Sequence, residues 1–161
     1  MLLRTLKALL IVVICTVTQV HGKEPKEVFW EDMVPEGYIA PFSEGAVMHE
    51  GLSGIQLDAA APVVESLNNQ HVKIPGFVVP LDAGSEEITE FLLVPYFGAC
   101  VHVPPPPSNQ LVYVTFDKPV AMDEVYDAVW VEGILTTDRY EGDLAVVGYS
   151  MKGISVSKFD G

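Results

Sequence analysis

The stretch Ala128-Val129-Trp130-Val131-Glu132-Gly133-Ile134-Leu135 decides the fold. Its β-branched and apolar residues alternate with others at period two, which is strand spacing. The pattern Val129-x-Val131-x-Gly133-x-Leu135 puts a glycine inside the strand, where a small barrel must coil tightly.

Working outward, three apolar runs precede it and one follows. Residues 71–81 form the first run, with Pro75-Gly76 predicting a bulge or a sharp bend in its middle. Residues 90–97 form the second, and Asn109 to Phe116 the third. Ala121-Met122-Asp123-Glu124-Val125-Tyr126 reads as a short helix, and Leu144 to Phe159 as a long last strand bent at Gly148 or Gly153. Three strands, a short helix and two strands predict a mainly β protein, a small five-stranded OB-like barrel. An open antiparallel sheet or a sandwich is the competing architecture.

The domain plan is a leader over 1–22, an irregular N-terminal extension over 23–70 and the barrel over 71–161. Arg4 and Lys7, the apolar run from Ala8 to Val17 broken only by Thr16, and Val20-His21-Gly22 follow the three-part pattern of a secretory signal peptide. The run is shorter than the roughly 20 apolar residues of a spanning helix. The expectation is cleavage near Gly22 and a periplasmic protein. The leader carries two of the nine basic residues and none of the 22 acidic ones, so seven remain against 22, a formal charge of −15. Such a surface repels phosphate backbones and argues against nucleic acid as a partner. Within the extension, Val28 to Pro35 around Trp30 has enough apolar surface to dock on a core. Residues 59–68 approach helical spacing with Asp58 placed to cap them, and Asn68-Asn69 reads as a turn.

The chemistry concentrates in Gly98-Ala99-Cys100-Val101-His102-Val103-Pro104-Pro105-Pro106-Pro107-Ser108-Asn109-Gln110. Cys15 leaves with the leader, so Cys100 is the one cysteine left and has no internal disulfide partner. Four prolines cannot donate ladder hydrogen bonds and favour a stiff polyproline II arm. Cys100 and His102 are therefore expected in extended chain, two apart and on one face. Three readings stay open: a buried structural pair, a thiol nucleophile with His102 as base, and metal ligation by sulfur and imidazole, with zinc or copper as the ion. His71, or less readily His49, would supply a third ligand. Asn109 and Gln110 are read as supporting the loop or orienting the pair.

The motif resembles that of an uncharacterised family of exported bacterial proteins. The likeness rests on Pro75-Gly76-Phe77, Pro80-Leu81, Phe91 to Gly98 with Tyr96 among them, Ala99-Cys100, His102, Pro104 to Pro107 and Asn109-Gln110. It continues weakly through Val129-Trp130-Val131-x-Gly133 and Gly148-Tyr149. The resemblance implies a gene neighbourhood with an ABC transporter and small periplasmic proteins, in operons that respond to zinc shortage. It therefore implies a zinc-handling accessory protein that is more an accessory than an enzyme, with the transporter or another periplasmic component as partner. A thiol enzyme and an envelope adaptor are the alternatives.

Overall fold

The structure, a computed structural model, describes residues 24–40, 56–81, 87–100, 105–121 and 127–160. A two-residue strand, β1 (Lys26–Glu27), precedes the long strand β2 (Gln70–Pro80). Then come β3 (Glu87–Val94), β4 (Val112–Ala121), β5 (Val129–Thr136), the short strands β6 (Tyr140–Glu141) and β7 (Val146–Val147), and β8 (Tyr149–Lys158). The expected strands therefore form within a few residues of their predicted limits. The expected short helix falls largely on residues 122–126, outside the described residues.

Five strands close on themselves in the order β2-β3-β4-β8-β5, with β5 returning to β2. Every pairing in the ring is antiparallel except β4 with β8. This is the closed OB-like barrel that the run order implied. Closure depends on β2 serving two neighbours. Its first part pairs with β5 up to Gly76↔Val129, and its second with β3 from Phe77↔Val94. The changeover falls at the Pro75-Gly76 bend. A Cβ at Gly76 would stand 2.7 Å from the Val94 carbonyl oxygen, so only glycine lets the strands approach this closely. At Gly133 a Cβ would lie 2.5 Å from the Lys152 carbonyl oxygen. Opposite that point the register of β8 passes from Ser155 to Gly153 and skips Ile154, the bulge that bends the last strand.

The period-two pattern of β5 buries Val129, Val131, Gly133 and Leu135. They join Val72, Ile74, Phe91, Leu93, Val112, Val114, Tyr149 and Met151 in the barrel core. Part of the N-terminal extension belongs to that core. β1 runs parallel to β2, and the Val28 amide donates to the Lys73 carbonyl at 3.0 Å. Val28 and Met33 are fully buried, and Trp30 Nε1 donates to the Pro75 carbonyl at 2.7 Å. That carbonyl belongs to the bend residue of β2, so the expected docking of Trp30 occurs where the barrel turns. The buried Tyr149 hydroxyl donates to the Met33 carbonyl at 2.8 Å and accepts from the Val64 amide at 2.7 Å.

The helix expected over 59–68 does not form. Pro62 lacks an amide for a helix interior, and only Glu65–Leu67 makes a single 3-10 turn. Asp58 does cap an amide, that of Ala60 at 2.9 Å, but it caps a turn, and its other oxygen accepts from Tyr38 Oη at 2.7 Å. The turn at Asn68-Asn69 is present, with Asn69 at φ 57°.

Tyr149→Phe strands the buried Met33 carbonyl and the part-buried Val64 amide together. It should lower unfolding free energy by about 1–3 kcal/mol in urea titration, with the transition slope unchanged.

Candidate functional site

Beyond β3 the chain turns through Tyr96 to Cys100, closed by the Ala99 amide donating to the Tyr96 carbonyl at 3.4 Å. Gly98 has φ 84° and Cys100 φ 65°. Left-handed backbone is natural for glycine and uncommon for cysteine. The extended geometry expected at Cys100 is therefore replaced by a turn, and the same-face spacing rule for residues 100 and 102 does not apply.

This turn covers a second apolar cluster, separate from the barrel core. Val79, Leu92, Val94 and Leu111 contribute from the strands and the start of β4, with Ala99, Ala145 and Val147 packed over them. Phe77, Leu81, Cys100, Tyr113 and Tyr140 are partly buried around it. Burial pushes the Cys100 thiol up to about 11. Burial also raises the Tyr96 phenol, with a further contribution from Cys100, so the two groups are neighbours and both are neutral near pH 7. Phe97 is 75% exposed while its ring meets that of Phe77 edge-on at 6.1 Å. Tyr113 and Tyr140 stack with centroids 3.9 Å apart, and Tyr113 Oη donates to Glu90 at 2.6 Å.

The proline tract is not a free arm. Pro107 has the expected polyproline geometry (φ −52°, ψ 149°), but Pro105, Pro106, Pro107, Ser108 and Asn109 are all buried. Buried carbonyls need donors, and prolines supply none. Here the Leu57 amide donates to Pro105 at 3.2 Å, Gln56 Nε2 to Pro106 at 3.0 Å, and the Gln110 amide to Pro107 at 2.8 Å. The Gln56 carboxamide also donates to the Val146 carbonyl at 2.7 Å and accepts from the Val146 amide at 2.9 Å. Asn109 Nδ2 donates to the Pro62 carbonyl at 2.9 Å, and Gln110 Nε2 to the Trp30 carbonyl at 2.9 Å. Both side-chain amides tie the loop to the N-terminal extension. Nothing in the sequence singled out Gln56, which stands in an irregular stretch with no periodicity.

His71 lies elsewhere. Its Nε2 is 2.9 Å from Glu132 Oε1, and Glu132 Oε2 accepts from Ser155 Oγ at 2.9 Å. It stands on the part of β2 that pairs with β5, on the other side of the Pro75-Gly76 bend from Phe77. His49 and His102 are outside the described residues. Among the described residues no three His, Cys, Asp or Glu side chains group closely enough to hold a metal ion.

A thiol near 11 is about one part in 10,000 thiolate at pH 7. Alkylation of Cys100 should therefore be slow at pH 7 and rise about tenfold per pH unit up to pH 9. Following adduct formation by mass spectrometry checks this; a fast rate that is flat with pH would mean a depressed thiol.

Comparison with known proteins agrees with the fold. Residues 30–158 match the family described as a protein of unknown function, DUF3299. The crystal structure of a DUF3299 family protein from Pseudomonas aeruginosa PAO1 is 40% identical to this chain. The match covers 86% of this chain and 100% of that one, with a TM-score of 0.71. No curated protein matches the chain. The match extends from Trp30 in the docked extension to Lys158 at the end of β8, and so takes in barrel, proline tract and Cys100 turn together: the chain belongs to the DUF3299 family.

Proposed function

We propose that this protein is a periplasmic metal-handling accessory, with zinc the leading ion and copper second, serving an ABC-transporter-linked uptake system. The observation that carries the reading is the conformation of Cys100. A non-glycine residue at φ 65° is kept there beside a second left-handed residue, Gly98. Backbone of this kind persists where the surroundings over-determine it, and it clusters at ligand-holding sites.

In this reading Cys100 and His102 are the paired donors. The described donors fit a metal only in part, because Cys100 stands alone among them near the turn. The set would be completed by His71, or less readily His49, or by a partner protein; His71 bonds Glu132 through Nε2, which leaves Nδ1 for a metal. An incomplete site suits transfer, whereas a structural zinc site closes all four positions. The acidic surface would raise the local cation concentration. A thiol enzyme fits less well, since burial keeps Cys100 protonated and therefore a poor nucleophile.

A second reading, an envelope adaptor, is favoured by one feature: Phe97 and Tyr96 present aromatic surface beside the same turn. Co-purification with a transporter component that survives loss of Cys100 would select it.

Zinc titration of the reduced protein, against Cys100→Ser and His102→Ala, tests the metal reading. Each variant should lose at least about tenfold in affinity. Because the Cys100 proton must leave when metal binds, affinity should also rise with pH, up to about tenfold per unit below the thiol pKa. Equal affinity in all three proteins would remove the proposal.

A further inference from the structure

The β6–β7 hairpin forms its own two-stranded sheet, outside the barrel. An isolated hairpin is marginal in water, so its order depends on what holds it down. Three things do. Ala145 and Val147 are buried in the second apolar cluster, and Tyr140 stacks on Tyr113 of β4. The third is Gln56, which satisfies both backbone groups of Val146 and reaches the Pro106 carbonyl with the same carboxamide. Gly148 follows at once, its amide donating to the Ser108 carbonyl at 2.7 Å, and fixes where the hairpin leaves the core. Cys100 packs in the cluster that this hairpin covers.

We infer that residues 140–147 are a flap over the Cys100 cluster, latched shut by the side chain of Gln56. Three hydrogen bonds converge on that side chain, two of them with Val146. Its loss removes the hairpin's polar anchor and leaves the apolar seat of Ala145 and Val147 and the Tyr140–Tyr113 stack to hold it, while the closed barrel stays intact. Opening would widen solvent access to the partly buried thiol and expose Leu111 and Val147 to an incoming partner. The latch therefore sets access to the group on which the proposed function rests, but it can be read without any metal.

The test is metal-free labelling of Cys100 by N-ethylmaleimide in protein carrying Cys15→Ser, so that one thiol remains. Gln56→Ala, and Gln56→Glu, which keeps the acceptor and loses both donors, should label at least about tenfold faster than the parent. Amide hydrogen exchange should quicken over 140–147 and stay unchanged in β2 and β5. Faster exchange with unchanged labelling would mean that the hairpin does not cover the thiol, and no change in either would mean that Gln56 is not a latch; each result overturns the inference. Should the variants fail to fold, the parent protein decides. Its 146–147 amides must exchange by a lower-energy opening than those of β5, and equal protection would overturn the flap. Loss of zinc binding with labelling as expected would remove the metal proposal and leave the latch standing.

Discussion

Buried proline carbonyls must be given hydrogen-bond donors from elsewhere, and much of this structure is arranged around that need. Pro105, Pro106 and Pro107 lie inside the protein, where each carbonyl would be costly if left unpaired, and two of the three take their donor from a segment remote in sequence. The segment at 56–58 supplies the missing groups: the Leu57 amide, the Gln56 carboxamide and, in return, the Asp58 carbonyl for the Ser108 amide at 2.7 Å. A stretch of irregular extension is thereby made part of the fold. The same stretch fixes β7 through Val146, so the tract, the hairpin and the extension are held by one small group of bonds.

The barrel was legible in the sequence because its signals are local. Period-two alternation along 128–135 marks which residues face inward, and the core contains Val129, Val131 and Leu135 as that alternation requires. Pro75-Gly76 marks the bend, and the change of partner strand falls there. The glycine-rich last strand bulges at Ile154, next to one of the two glycines expected to bend it. The N-terminal extension was legible only as apolar surface around Trp30. Its hydrogen bonds link residues far apart in the chain, such as Tyr149 to Met33 and to Val64, and no local pattern encodes such pairs. Apolar spacing over 59–68 suggested a helix, but Pro62 and the turn capped by Asp58 outweigh it.

The candidate site was legible as a motif and not as a geometry. The residues that stand out in Gly98–Gln110 do mark an unusual place, yet two inferences drawn from them reverse. Pro105, Pro106 and Pro107 are a buried element of the core's surroundings rather than a free arm, because their rings are apolar and their carbonyls find donors. Cys100 is in left-handed backbone, which residue type alone does not forecast for a cysteine. His71, picked as a ligand because histidines are few, bonds Glu132 through Nε2. Gln56 left no trace in the pattern, since a polar residue in an aperiodic segment looks like loop.

The resulting picture is a closed barrel with an outer apolar cluster: a thiol in a left-handed turn, held neutral by apolar packing, beside a hairpin anchored by Gln56, by Ala145 and Val147 and by the Tyr140–Tyr113 stack. In the proposed metal-handling function, the thiol exchanges its proton for a soft or borderline cation when a second donor arrives with it, which is the chemistry of transfer more than of permanent binding. X-ray absorption at the zinc edge of the loaded protein tests this most directly. The account predicts one sulfur neighbour at about 2.3 Å with the remaining neighbours nitrogen or oxygen. A shell containing no sulfur would contradict it.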